Sequence, residues 1–163
     1  MTLVDSSSSE SFRKSRQWST VYNLIPNFKL YAGIKEVLKD CSDNLIRACI
    51  VTTSPSSYAN RVLKHFGIPS EFVVDYFSCQ RKPSPDPMLM ALKNFGLKSN
   101  EVISIGDRGI DIQSSRAAGI KSIGCLWGTQ EEQILRSSIP DYLISNPLEI
   151  IQIVDKLNKL QPA

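Results

Sequence analysis

Asp107 and Asp111 stand four residues apart in Ile103-Ser104-Ile105-Gly106-Asp107-Arg108-Gly109-Ile110-Asp111, where a β-branched run ends in Gly-Asp and passes into a small-residue segment. The pattern reads as a buried parallel strand delivering a carboxylate to its C-terminal edge, the edge at which open α/β sheets bind ligands. Across a strand-to-helix turn this spacing lets both carboxylates reach one hard cation. Mg2+ is the natural occupant, since it takes oxygen ligands and keeps room for a substrate phosphate. The same Asp107 would also serve as a plain helix cap. Two more strand ends carry chemistry: Thr52-Thr53-Ser54-Pro55 follows one apolar run, and Lys82 lies in the loop after another. Strands of a parallel sheet point one way, so these groups should converge on one rim. Hydroxyl and backbone N–H donors, an ammonium and a carboxylate pair are the parts that hold a phosphoryl group and neutralise its charge. Thr52, Thr53 and Lys82 are therefore the phosphate-binding candidates, and Asp107 and Asp111 the metal-binding ones. Taken singly, the threonines would serve as turn residues and Lys82 as an ordinary surface lysine.

The elements that must position these groups follow a regular alternation. Apolar runs at 46–51, 72–74, 102–105, 122–125 and 142–144 predict strands, and the segments between them carry helical spacing. A helix is expected over 56–66, with Tyr58, Val62 and Phe66 on one face and Gly67 as its stop. Another should open at Pro85 or Asp86, turn Met88, Leu89, Leu92 and Phe95 inward and end at Gly96. Shorter helices are expected over 33–39, 110–118 and 131–135. A last one starts at Pro147 with Leu148, Ile151, Val154 and Leu157 in a stripe. Upstream, Trp18, Val21, Tyr22 and Ile25 favour a short helix, whereas the first seventeen residues read as a loop or frayed terminus. Alternating strands and helices predict an α/β, Rossmann-like three-layer sandwich with a mainly parallel sheet.

Composition narrows the class. A chain of 163 residues, 42% hydrophobic and 21% charged, is the size and make-up of one globular domain, and a dispersed net charge of +3 argues against nucleic acid. Cys41, Cys49, Cys79 and Cys125 lack metal-ligand spacing, and cysteines in apolar runs pack as small hydrophobes, which points to a reducing, cytoplasmic setting. No signal peptide or membrane-length apolar run is legible. His65, the sole histidine, falls in the last turn of a helix, where the dipole favours it.

The order Val51-Thr52-Thr53-Ser54-Pro55, then Arg81-Lys82-Pro83-Ser84-Pro85-Asp86-Pro87, then Ile105-Gly106-Asp107-Arg108-Gly109-Ile110-Asp111 and Ala117-Ala118-Gly119-Ile120 resembles the haloacid dehalogenase-like hydrolase superfamily, in the style of its phosphoglycolate-phosphatase-like members. Gly124-Cys125-Leu126-Trp127-Gly128-Thr129 is similar to the segment after the last motif there. The resemblance implies that Thr52 binds the transferring phosphoryl group, that Lys82 orients and neutralises it, and that Asp107 with Asp111 positions Mg2+. It also implies hydrolysis of phosphate monoesters through an aspartyl-phosphate, on a phosphorylated small molecule or a larger phospho-substrate.

One departure matters. The family's first motif is a central strand ending in Asp-x-Asp-Gly-Thr-Leu-Val-Asp-Ser, with the nucleophile and the general acid and base as its first two aspartates. Here Met1-Thr2-Leu3-Val4-Asp5-Ser6 is similar only to the tail of that motif. The expected fold therefore lacks its central first strand, and the economical reading places Met1 inside a longer natural chain. Residues 1–30 are expected to comprise the motif remnant, a flexible segment and a minimal lid, and 31–163 the α/β core. The expected activity of the chain as written is negligible, the alternative being a non-catalytic phosphate- or partner-binding remnant. A phospho-acceptor receiver domain places its acidic pair before its Thr and Lys, the reverse of the order here. A dinucleotide-binding domain would need a Gly-x-Gly-x-x-Gly that is absent.

Overall fold

Side-chain alternation along the strands sorts the helices into layers. The computed structural model describes residues 2–160. In chain order it contains β1 (Val4–Asp5), α1 (Glu10–Lys14), α2 (Trp18–Leu24), β2 (Lys29–Leu30), α3 (Ile34–Asp43), β3 (Ile50–Val51), α4 (Ser56–Phe66), β4 (Val73–Val74), α5 (Asp86–Phe95), β5 (Ile103–Gly106), α6 (Gly109–Ala117), β6 (Lys121–Cys125), α7 (Glu132–Ser137), β7 (Tyr142–Ile144) and α8 (Glu149–Leu160). β5, β6 and β7 form a parallel three-stranded sheet in which Ile105 lies opposite Ile123 and Cys125 opposite Ile144. Ile103, Ile105, Ile123, Cys125 and Ile144 pack with Val37 of α3 and Ile150 of α8. Ser104, which points the other way, has its hydroxyl against that of Ser115 on α6. Helices therefore cover both faces, as a parallel sheet demands.

β3 and β4 form a separate parallel pair, Ile50 opposite Val73 and Val51 opposite Val74. Among the described residues no ladder joins β3 to β5, so each keeps an open edge. The Ile50 and Thr52 amides donate across to Phe72 and Val74, which turns the polar groups of Val51 away from β4, to the open side. Among the described residues the sheet is thus split between β3 and β5. The strand expected over 46–51 shortens to Ile50–Val51, since a segment with a partner on one side only has little ladder to extend.

The amino-terminal segment differs from expectation. It is no frayed loop: Val4 and Ser6 are each 1% exposed, and Ser9 is fully buried. Ser9 closes a turn by donating its hydroxyl to the Ser6 carbonyl, and the Ser7 amide donates to the Asp5 carboxylate. β1 pairs antiparallel with β2, and Val4 joins Val21, Ile25, Phe28, Tyr58, Val62 and Ile68 in a cluster between α2 and α4. The hydroxyl of Ser9 satisfies a local backbone carbonyl, which lets it be buried without an apolar period, while Ser7 and Ser8 of the same run stay exposed.

Two apolar positions expected inward lie outward. Leu89 and Leu148 are 47% and 41% exposed, while Met88, Leu92 and Ile150 take the core. The helical period was right and the buried arc narrower than the stripe. All four cysteines are free; burial pushes the Cys49 thiol up to about 11 and the Cys125 thiol up further, keeping both protonated packing groups. Among the described residues no helix is long and apolar enough to cross a membrane.

Candidate functional site

A single ammonium ties three distant parts of the chain together. Lys82 Nζ donates to the Val51 carbonyl at 3.1 Å, at the end of β3, and to Asp111 Oδ1, in the first turn of α6. Both side chains are buried, 8% exposed for Lys82 and 13% for Asp111. The other oxygen of Asp111 accepts the Arg108 amide at 3.1 Å, so the carboxylate caps α6 while facing the lysine. Gly106, which ends β5, fits beneath it: a Cβ there would lie 2.4 Å from that of Asp111, a separation that packed atoms do not reach. Glycine at this point lets β5 run directly under the capping carboxylate.

Asp107 is 7% exposed, and its Oδ1 accepts the Thr2 hydroxyl at 2.7 Å. The indole of Trp127 donates to the Thr2 carbonyl at 2.8 Å, while the Tyr31 amide donates to the carbonyl of Leu3. Trp127 thus packs and anchors the amino-terminal strand beside Asp107, a role that its apolar neighbours in the sequence gave no means of distinguishing from plain burial. At the other strand end, the Thr52 amide donates to Val74 and the Thr52 hydroxyl oxygen accepts the Ser54 amide at 3.1 Å. That hydroxyl retains its own proton for an acceptor. Thr53 is half-buried in the same turn. Arg108, between the two aspartates, is half exposed and reaches Glu131 at 3.9 Å, away from the Lys82 contact.

A residue that the sequence reading passed over supports the floor of this rim. Asp75, just after β4, accepts the Ser56 amide at the start of α4 at 2.9 Å, together with the Phe77 amide and the Ser78 hydroxyl. Partial burial pushes its pKa up, but the hydrogen bonds from Ser78, Ser56 and Phe77 outweigh that and hold it below the ordinary 3.8. A lowered folded pKa means that the stabilisation is fully present above the unfolded value and is lost as the pH falls through the folded one. Asp75→Ala is expected to cost about 1 kcal/mol in urea unfolding at neutral pH, the usual cost of losing a helix cap, and the deficit should shrink on acidification below 3.8. A deficit that persists unchanged at the lower pH would show that the carboxylate contributes nothing as an anion.

The site also has a charge balance. Asp107, Asp111 and Lys82 bring two acidic groups and one basic group to one rim, an excess of negative charge that a cation would offset. Among the described residues no third His, Cys, Asp or Glu joins them in a cluster able to hold a metal ion. A donor set of two carboxylates suits a hard ion that completes its shell from water and phosphate oxygens.

With the geometry in place, similarity to known proteins has a physical referent. The family model for haloacid dehalogenase-like hydrolases matches residues 4–125. The chain is 31% identical over 127 residues to a pyrophosphatase PpaX of Bacillus pumilus, covering 76% of this chain and 59% of that protein. It is 28% identical over 133 residues to a phosphoglycolate phosphatase of Pectobacterium atrosepticum, covering 77% and 55%. Among solved structures, a predicted phosphoglycolate phosphatase from Haemophilus somnus matches with a TM-score of 0.78 at 26% identity, over 85% of this chain and 64% of that one. A hydrolase from Pseudomonas syringae matches in fold, with a TM-score of 0.74 at 23% identity over the same shares. The chain spans less than two thirds of the length of the curated relatives it matches.

Proposed function

Because the chain belongs to the haloacid dehalogenase-like hydrolase family, we propose that it carries the phosphate-binding half of a Mg2+-dependent phosphomonoesterase site and binds phosphate without turning it over. The observation that carries this reading is the reach of Lys82 from the loop before α5 to both the end of β3 and the cap of α6. Three segments far apart in sequence meet there, as a phosphoryl pocket requires. Lysine has three N–H donors, two of which are engaged by Val51 and Asp111; the third is left for a phosphoryl oxygen. Thr52 would donate its hydroxyl proton to a second oxygen, with the turn at Thr53 supplying further donors. Asp107 and Asp111 would hold Mg2+, which when bound offsets the charge of the phosphoryl oxygens.

In relatives with a complete first motif, an aspartate attacks phosphorus and water hydrolyses the aspartyl-phosphate. Among the described residues no strand lies beside both β3 and β5 to carry such an aspartate, and the open edges of those two strands are consistent with a site that needs one more strand for chemistry. The similarity to a pyrophosphatase and a phosphoglycolate phosphatase favours a small phosphorylated anion as the ligand. Titration of inorganic phosphate in the presence of Mg2+ tests the reading. Saturable binding is expected, weakened about tenfold or more by Thr52→Val, because a hydrogen bond to a charged group contributes roughly 1.5–3 kcal/mol. Absence of saturable binding, or a Thr52→Val variant that binds as tightly as the parent, would overturn it.

A further inference from the structure

Tyr76 collects two arginines beside the phosphate rim. The guanidinium carbon of Arg81 lies 4.3 Å from the centre of its ring, and that of Arg16 lies 5.9 Å away, with Arg16 Nη2 donating to the phenol oxygen at 3.3 Å. The stack is fixed to the site on two sides. The Tyr76 amide donates to the Ser54 carbonyl at 3.3 Å, two residues past Thr52, and Arg81 directly precedes Lys82. Arg16 arrives from the opposite end of the chain, at the turn between α1 and α2, with φ of 57°, a left-handed conformation uncommon for a residue with a side chain.

Convergence sets this pair apart. Among the described residues Arg16 and Arg81, like Arg13, Arg61 and Arg116, have no carboxylate within 4.0 Å, but only Arg16 and Arg81 meet at one ring, whereas Arg47, Arg108 and Arg136 each lie within 3.9 Å of a glutamate. Two guanidiniums brought to one phenol without a counter-anion raise the local positive potential, and the planar fork of each suits a phosphate or carboxylate. Their aromatic contact holds them while leaving N–H donors free.

We propose that Arg16, Tyr76 and Arg81 form a second anion subsite, so that the chain selects small ligands with two anionic heads: a phosphoryl group at Thr52 and Lys82, and a second phosphate or carboxylate at the arginine pair. The inference rests on the phosphate-binding reading above and adds a specificity site to it. The test is calorimetric titration of the full chain at constant ionic strength with three probes: inorganic phosphate, pyrophosphate and phosphonoacetate. The two-headed probes are expected to bind about tenfold more tightly than phosphate. Arg81→Ala and Arg16→Ala should each weaken them about fivefold or more while leaving phosphate within about twofold. Arg81→Lys, which keeps the charge and loses the fork, should fall between and guards against a variant that fails to fold. Arg47→Ala, paired with Glu71, should change nothing. The separate probes report whether the second head is a phosphate, a carboxylate or either.

Phosphate binding with no preference for either two-headed probe would overturn the subsite alone. Equal losses for all three probes in the arginine variants would do the same, since they would mark a diffuse field in place of a site. Failure of phosphate itself to bind would remove the underlying reading and the subsite with it.

Discussion

Incubated with Mg2+ and a generic aryl phosphate, the 163-residue chain is expected to release phosphate at roughly one millionth of the rate of a relative that has a complete first motif, the loss seen when a coupled site is deprived of its nucleophile. The carboxylates present do not replace the missing one. Asp111 is committed to Lys82 and the Arg108 amide, and Asp107 accepts the Thr2 hydroxyl beside it. Asp5 lies in β1, paired antiparallel with β2, with its carboxylate accepting the Ser7 amide at 3.0 Å, and the hydroxyl and backbone of Ser7 hold its pKa down, which lowers its nucleophilicity. Extending the chain at its amino terminus with an apolar strand that ends in Asp-x-Asp should raise turnover by orders of magnitude, because that strand would pair with the open edges of β3 and β5. Turnover by the unextended chain within about a hundredfold of such a relative would mean that one of its own carboxylates attacks phosphorus.

Replacing Lys82 by methionine should produce the largest loss of stability of any single change at the rim. The ammonium and the Asp111 carboxylate are both nearly out of water. Removing one member of such a pair leaves a buried charge unpaired, at a typical cost of about 3–5 kcal/mol. The Val51 carbonyl, which faces the open side of β3, would lose its donor in the same step. Urea unfolding of Lys82→Met, Asp111→Asn and the double variant separates the causes. The double variant should be more stable than the sum of the two single losses predicts, by more than about 1 kcal/mol, since the second change removes the charge that the first strands. Strict additivity would show that the two groups do not stabilise each other. Phosphate binding should be lost in Lys82→Met at temperatures where the variant stays folded.

The parts legible in the sequence were those set by local chemistry. Gly67 and Gly96 mark helix ends because both adopt a left-handed conformation there, with φ of 62° and 69°. The helix over Ser56–Phe66 and the strand over Tyr142–Ile144 carry the bounds expected. Asp107, Asp111, Lys82 and Thr52 stood out as candidates because carboxylates, an ammonium and a hydroxyl fall at or just after strand ends, and the structure brings Lys82 against Asp111 and the end of β3. What was not legible depends on partners. The burial of Ser6 and Ser9, the outward turn of Leu89 and Leu148, and the shortening of β3 all follow from which surface lies opposite.

The sequence by itself determined the alternation of strands and helices and the chemical types gathered at the strand ends. Each is a matter of residue identity and short-range spacing, which fix periodicity and turn chemistry without reference to the rest of the chain. Only the tertiary structure decided that Lys82 pairs with Asp111, that Thr2 and Trp127 flank Asp107, that Arg16 meets Arg81 at Tyr76, and that the sheet stays split between β3 and β5. Those pairings join residues from 29 to 125 positions apart. Such contacts depend on how layers pack and on which backbone edges find partners, and no local pattern encodes either.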